Sequence, residues 1–197
     1  MSAVGEALRA LSAAFAELEA PWFLFGAHAV SARGAPRATQ DLDVTVECAS
    51  PLRDRLAQVL LRNGFSHRFP EIADELLRRG AVLPLVHTPT SMDVDVVFSG
   101  SGLEQLVLSR SELMEIDGVR VPVASATDLV VMKLIAGRGK DLEDARTLIA
   151  AGDVSLPEVE DLLTQMEEAL GVSDLLPRLL NARSESRSTR GRVLGRT

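Results

Sequence analysis

Apolar residues recur at helical spacing over residues 3–19, where Val4, Leu8, Leu11, Phe15 and Leu18 form one stripe and Glu6, Arg9 and Glu17 lie off it. Pro21 stops that helix, and Trp22–Phe25 is a short apolar run of buried-strand type that ends at Gly26. A short helix fits Ala27–Ala32 before Gly34 and Pro36 break it. The pattern then changes period: over Asp41–Glu47, Leu42, Val44 and Val46 alternate with Asp41, Asp43, Thr45 and Glu47, so one face of a strand is apolar and the other polar. Helices follow over 52–62, ending at Gly64, and 72–79, ending at Gly80. Val82–His87 and Met92–Phe98 predict a strand pair joined by Thr88-Pro89-Thr90-Ser91.

Asp117-Gly118, set between Leu113–Ile116 and Val119–Val123, marks a hairpin, because both positions of a tight primed turn need positive φ. From Ser125 the period is helical again, with Asp128 three residues on to complete a helix start. Helical stretches continue through 142–149 and 156–170. These elements predict a mixed sheet flanked by helices with a helical C-terminal part, an α+β or α/β fold. The expected organisation is a core over 1–124, C-terminal helices packed on it over 125–177, and a flexible Arg-rich tail over 178–197.

The chain has 197 residues, 46% of them hydrophobic and 25% charged, an ordinary globular balance with enough length to bury a core. Its formal charge of −7 conceals an asymmetry. Residues 178–197 hold six Arg and one acid, so the remainder carries −12. An acidic body argues against a broad nucleic-acid-binding surface. Cys48 is the only cysteine, which excludes an intramolecular disulfide and a Cys-based zinc site. The longest uncharged runs, Ala20–Ala32 and Gly80–Met92, are 13 residues each, short of the ~20 that cross a bilayer. With no basic, apolar leader at the N-terminus, the chain reads as cytoplasmic, with no membrane partner.

Asp41 and Asp43 leave the same face of one strand, and Asp93 and Asp95 repeat the arrangement on another. Asp is disfavoured in strands, and two acidic pairs on neighbouring strands repel each other. A hard divalent cation resolves that conflict through carboxylate oxygens. The competing reading is that the acids mark only the solvent face of a half-exposed sheet. Gly26, after the first strand, opens a turn whose backbone N–H groups suit phosphate, and Arg33 and Arg37 lie between it and Asp41.

Gly26-Ala27-His28-Ala29-Val30, followed by Arg37-Ala38-Thr39-Gln40-Asp41-Leu42-Asp43, resembles the motif of nucleotidyltransferases with the DNA polymerase β-like fold. More narrowly it is similar to the minimal bacterial members, the AbiEii/AbiGii-toxin-like and related small nucleotidyltransferases. Asp95-Val96-Val97-Phe98 matches their third Asp, with Asp93 as the alternative. A second hallmark lies in Ala124–Lys133 and Ala136–Asp144, where a Lys-bearing helix precedes an Ala-Gly-Arg-x-Lys-Asp turn. The resemblance covers about residues 5–150.

It implies a Mg²⁺- (or Mn²⁺-) dependent enzyme that moves an NMP from an NTP to an acceptor hydroxyl. Asp41, Asp43 and Asp95 are its catalytic and metal-binding residues, and Gly26, Ala27, Arg37 and Lys133 bind the nucleotide. The resemblance also implies that the acceptor is an RNA such as tRNA, a protein or a small molecule, and that the setting is a toxin–antitoxin or phage-defence system with a cognate protein partner. Lys133 has a second reading, as a snorkelling side chain at a helix edge. Asp141 is expected to cap the following helix while Arg138 and Lys140 pair with nearby acids. The family pairs Gly with Gly or Ser after the first strand, whereas Ala27 stands here. Ala leaves the space for phosphate but lacks the hydroxyl. The alternative function is therefore a non-catalytic antitoxin or regulatory binding module of the same fold.

Overall fold

The computed structural model describes residues 2–34, 39 and 41–194, the stretch 185–194 by backbone alone. The chain forms two compact units, Met1–Ala29 with Ala38–Ala124 and Val30–Arg37 with Ser125–Thr197. In the first, α1 (Ala3–Glu17) precedes β1 (Trp22–Phe25), α2 starts at Gly26 and runs to Ala32, and β2 (Asp41–Val46) follows. Then come α3 (Arg53–Arg62), β3 (Phe65–His67), α4 (Ala73–Arg79), β4 (Val82–His87), β5 (Met92–Phe98), α5 (Gly102–Arg110), β6 (Glu112–Ile116) and β7 (Val119–Val123). The described strands form one mixed sheet in the order β3-β4-β5-β2-β1-β7-β6.

The centre of the sheet positions the acids. Strands β2 and β5 pair in parallel, with Asp41 opposite Asp93, Leu42 opposite Val94, Asp43 opposite Asp95 and Val44 opposite Val96. A parallel pair in this register sends all four Asp to one face and the apolar alternates to the other. Leu42, Val44, Val94 and Val96 are fully buried with Leu8, Leu11 and Phe15 of α1 and Leu56 and Leu60 of α3. Helix α1 packs against α3 and against β5 and β7. The apolar face is thus the core of this unit, and the half-buried Asp face is left for chemistry.

The Asp117-Gly118 turn has the positive φ values it was expected to have, 48° and 77°, in a two-residue loop that aligns Ile116 with Val119. Two elements have no counterpart in the sequence pattern. Strand β3 is only three residues long, too short to show alternation. Helix α5 buries only Val107, so it has no apolar stripe. Its start is fixed instead by a reciprocal capping box, the Ser101 hydroxyl accepting from the Glu104 N–H and the Glu104 carboxylate from the Ser101 N–H.

The second unit contains α6 (Ala126–Ala136), α7 (Gly139–Ala151), α8 (Leu156–Leu170) and α9 (Leu175–Leu194). Ser125 caps α6 by accepting from the Asp128 N–H at 3.1 Å. Helix α9 begins before the expected tail and continues into it as far as Leu194, with Pro177 in its first turn, where no intrahelical N–H is needed. The Glu167 carboxylate accepts from the Leu175 and Leu176 N–H groups at 2.7 and 3.0 Å and so caps that turn. Leu175, Leu179 and Ala182 are buried. Arg178 donates to the Leu134 and Ile135 carbonyls at the end of α6 (2.7 and 3.2 Å), so the first Arg of the supposed tail is a packed structural residue. Among the described residues no helix is long and apolar enough to cross a membrane.

Candidate active site

The site grows out of the β1–α2 turn and the two Asp strands. Phe25 at the end of β1 pairs with Asp43 across the antiparallel β1–β2 ladder, so Gly26, the next residue, arrives beside the Asp43 carboxylate. Gly26 has φ +69°, and a Cβ there would fall on that carboxylate, within 2.6 Å of its Cγ. Glycine is therefore required twice, for the left-handed backbone and for the close approach. Replacing it with Ala is expected to cost about 1–2 kcal/mol in backbone strain alone. Because Asp43 must also move, any reaction supported at this turn should slow roughly 10²-fold. Thermal melting and an activity assay on Gly26→Ala read the two effects separately.

Ala27 is buried in the first turn of α2. His28 follows, and burial pushes its imidazole pKa down against the opposing pull of Asp41 and Asp117. Among the described residues its buried Nε2 has no hydrogen-bond partner. The Thr39 hydroxyl donates to Asp41, fixing that carboxylate at the start of β2. Arg37 lies outside the described residues.

On the β5 side a cation is already present. The Arg68 guanidinium donates to Asp93 Oδ2 at 3.1 Å through Nη1 and to Asp95 Oδ1 through Nη2. Arg68 follows β3, and its N–H donates to the Pro84 carbonyl at 3.1 Å. Pro84 lies opposite Asp95 in the β4–β5 register, so the arginine is anchored one strand away from the acids it reaches. Nothing in the local pattern marks Arg68; only the pairing of three strands brings it to the site.

The electrostatics favour a positive partner. Burial raises the Asp95 carboxyl pKa, Arg68 pulls it down, and the charges of Asp41 and Asp93 push it up again, leaving it above the usual carboxylate value. Asp95 thus feels the acids of both strands. Among the described residues no three His, Cys, Asp or Glu side chains converge to hold an ion on their own. Mg²⁺ at phosphate sites takes only one or two carboxylates and completes its octahedron with water and phosphate oxygens. The all-oxygen donor set, the mutual repulsion and the guanidinium standing where a cation belongs therefore fit a divalent ion.

The structure brings Gly26, Ala27, Asp41, Asp43, Asp93 and Asp95 together in the first unit. Lys133 belongs to the second, where its Nζ donates to Asp141 Oδ1 at 3.1 Å and contacts Asp144 Oδ2 at 2.8 Å. All three side chains are buried. Asp141 does not cap α7 as expected. The N-cap position is Arg138, which has no side-chain cap bond, and Asp141 instead accepts from Lys133 and from the Arg138 Nε at 2.5 Å. Two cations beside a buried carboxylate outcompete a backbone N–H.

Solved structures share this fold. The antibiotic-resistance factor ANT(2'')-Ia in solution is 15% identical with a TM-score of 0.51, over 83% of this chain and 91% of that one. Its crystal structure with adenylyl-2''-tobramycin gives 14% and 0.50, over 93% and 99%. An antigenic nucleotidyltransferase-like protein from Paracoccidioides brasiliensis gives 17% and 0.50, over 89% and 90%. At these identities the likeness shows the fold. No curated protein sequence matches the chain. A family profile described as "Nucleotidyltransferase of unknown function (DUF6036)" matches residues 2–175, nearly the whole chain. The chain belongs to that nucleotidyltransferase family.

Proposed function

We propose that the protein transfers an NMP from an NTP to an acceptor hydroxyl, with release of pyrophosphate, at the acidic face of β2 and β5. One observation carries the reading: the in-register pairing of Asp41-x-Asp43 with Asp93-x-Asp95 beside a glycine turn that only glycine can make. Asp41, Asp43 and Asp95 would share one or two Mg²⁺ or Mn²⁺ ions, each ion taking one or two of the carboxylates, with Asp93 the alternative to Asp95. The ion, when bound, neutralises the triphosphate and stabilises charge on the leaving pyrophosphate. Asp95 accepts the proton of the acceptor hydroxyl; burial and like charge lift its affinity for that proton. The backbone at Gly26 and Ala27 contacts the triphosphate, and Arg37 assists. The buried pairing of Lys133 with Asp141 and Asp144 supports a structural role for that side chain rather than a phosphate contact.

The acceptor classes are RNA, protein and a small molecule. The ANT(2'')-Ia complex contains an adenylylated antibiotic, which makes a small-molecule hydroxyl a concrete candidate. An RNA or protein acceptor would suit a toxin–antitoxin or phage-defence setting with a cognate protein. The test is incubation with each of four labelled NTPs and Mg²⁺, then separation of lysate RNA, protein and small molecules. The expected result is label in one fraction, abolished by EDTA. Absence of label everywhere, with no Mg²⁺-dependent NTP binding, would favour a non-catalytic antitoxin or regulatory module.

A further inference from the structure

We propose that Arg68 is a tethered counter-ion which pairs with Asp93 and Asp95 and competes with the divalent cation for them. The inference rests on the metal-dependent reading above.

Three observations carry it. The guanidinium spans both carboxylates of β5 and reaches Asp95, one of the proposed metal ligands. Its backbone is fixed to the Pro84 carbonyl, so the side chain can leave the acids while the residue stays beside the site. Third, the fork is half satisfied. Nη1 and Nη2 are engaged, but among the described residues the buried Nε–H has no acceptor. A buried donor without a partner is costly and marks an arrangement that another ligand could improve. A triphosphate offers acceptors to all the N–H groups of a guanidinium.

The single positive charge of Arg68 thereby offsets one of the two like charges on β5 before substrate arrives. When a cation takes Asp95, the same arginine becomes a free positive charge within reach of the incoming phosphates. Arg68 is thus a positioning residue whose effect is largest on cation affinity without nucleotide.

The test is Mn²⁺ titration of the full-length, nucleotide-free protein, followed by electron paramagnetic resonance of the free ion. Arg68→Gln removes the charge and is expected to bind Mn²⁺ roughly ten-fold more tightly than wild type. Adding Asp95→Asn should abolish that gain. Equal or weaker Mn²⁺ binding by Arg68→Gln would overturn the proposal. A wild-type measurement guards against a misfolded variant: the ¹⁵N resonance of the Arg68 Nε–H, assigned through Arg68→Lys, should shift on adding Mg²⁺. A resonance that stays fixed while the ion binds also overturns it. These failures differ from failure of the parent reading. If neither wild type nor variant binds Mn²⁺ even with NTP present, metal-dependent transfer is itself refuted.

Discussion

Asp43→Asn is expected to lower nucleotidyl transfer by roughly 10³-fold, about 4 kcal/mol of transition-state stabilisation, while the protein stays folded. The substitution keeps volume and removes one negative charge. Asp43 stands at the point where three features meet, opposite Asp95 on β5, opposite Phe25 on β1 and against the missing Cβ of Gly26. An amide there still fits the glycine notch but is a much poorer ligand for a hard cation. The amide keeps the volume and the hydrogen-bonding capacity of the side chain, so the melting temperature should stay close to that of wild type. Loss of activity with retained stability is what separates a catalytic carboxylate from one that only decorates a sheet. Transfer rates and a thermal melt on the same preparation decide it, and an Asp43→Asn protein as active as wild type would remove Asp43 from the site.

Lys133→Met should act the other way, on stability first. The ammonium lies between Asp141 and Asp144 in a buried cluster, and deleting it takes the cation from Asp144 and leaves Asp141 to Arg138. The expected loss is about 3–5 kcal/mol, or ~10 °C in melting temperature. The pH dependence follows from Asp141. Burial pushes its carboxyl up, but the hydrogen bonds from Arg138 and Lys133 outweigh this and hold its pKa below the usual value. A depressed folded-state value means that the wild-type contribution is present at neutral pH and is lost as pH falls through the carboxylate range. In Lys133→Met, burial is opposed by Arg138 alone, so Asp141 protonates more readily. The gap between the two proteins should therefore narrow on acidification. Melting curves at neutral and acid pH test this, and a gap that widened in acid would contradict it.

Much of the fold is legible wherever a strand is half-buried and bounded by turn residues. Trp22–Phe25, Val82–His87 and Met92–Phe98 have in the structure the limits their sequence pattern implies. Alternation marks Met92–Phe98 because one face is core and the other is not, whereas Trp22–Phe25 is legible as a short apolar run. It fails for β3, whose three residues carry no period, and for α5, which is set by a cap rather than a stripe. The Arg-rich composition after Pro177 reads as tail, yet Leu175, Leu179 and Ala182 supply a narrow apolar seam and Glu167 caps the helix start from a separate element. Of the candidate site, both Asp pairs and Gly26 are visible in the sequence because each breaks a local preference, acids in strands and a glycine after a buried run. Their mutual register is not visible, since parallel pairing of β2 with β5 is a non-local fact. Arg68 was out of reach for the same reason, as it meets Asp95 only through β4.

If the acidic face of β2 and β5 moves a nucleoside monophosphate, the α- and γ-phosphorus of the triphosphate must end in different products. The most direct measurement supplies the same NTP labelled once at the α-phosphorus and once at the γ-phosphorus, with Mg²⁺ and cell lysate as acceptor. Transfer predicts that the α label becomes attached to an acceptor, that the γ label leaves as pyrophosphate, and that Asp43→Asn abolishes both. Label that followed the γ-phosphorus onto the acceptor, or no movement of either label, would contradict the account.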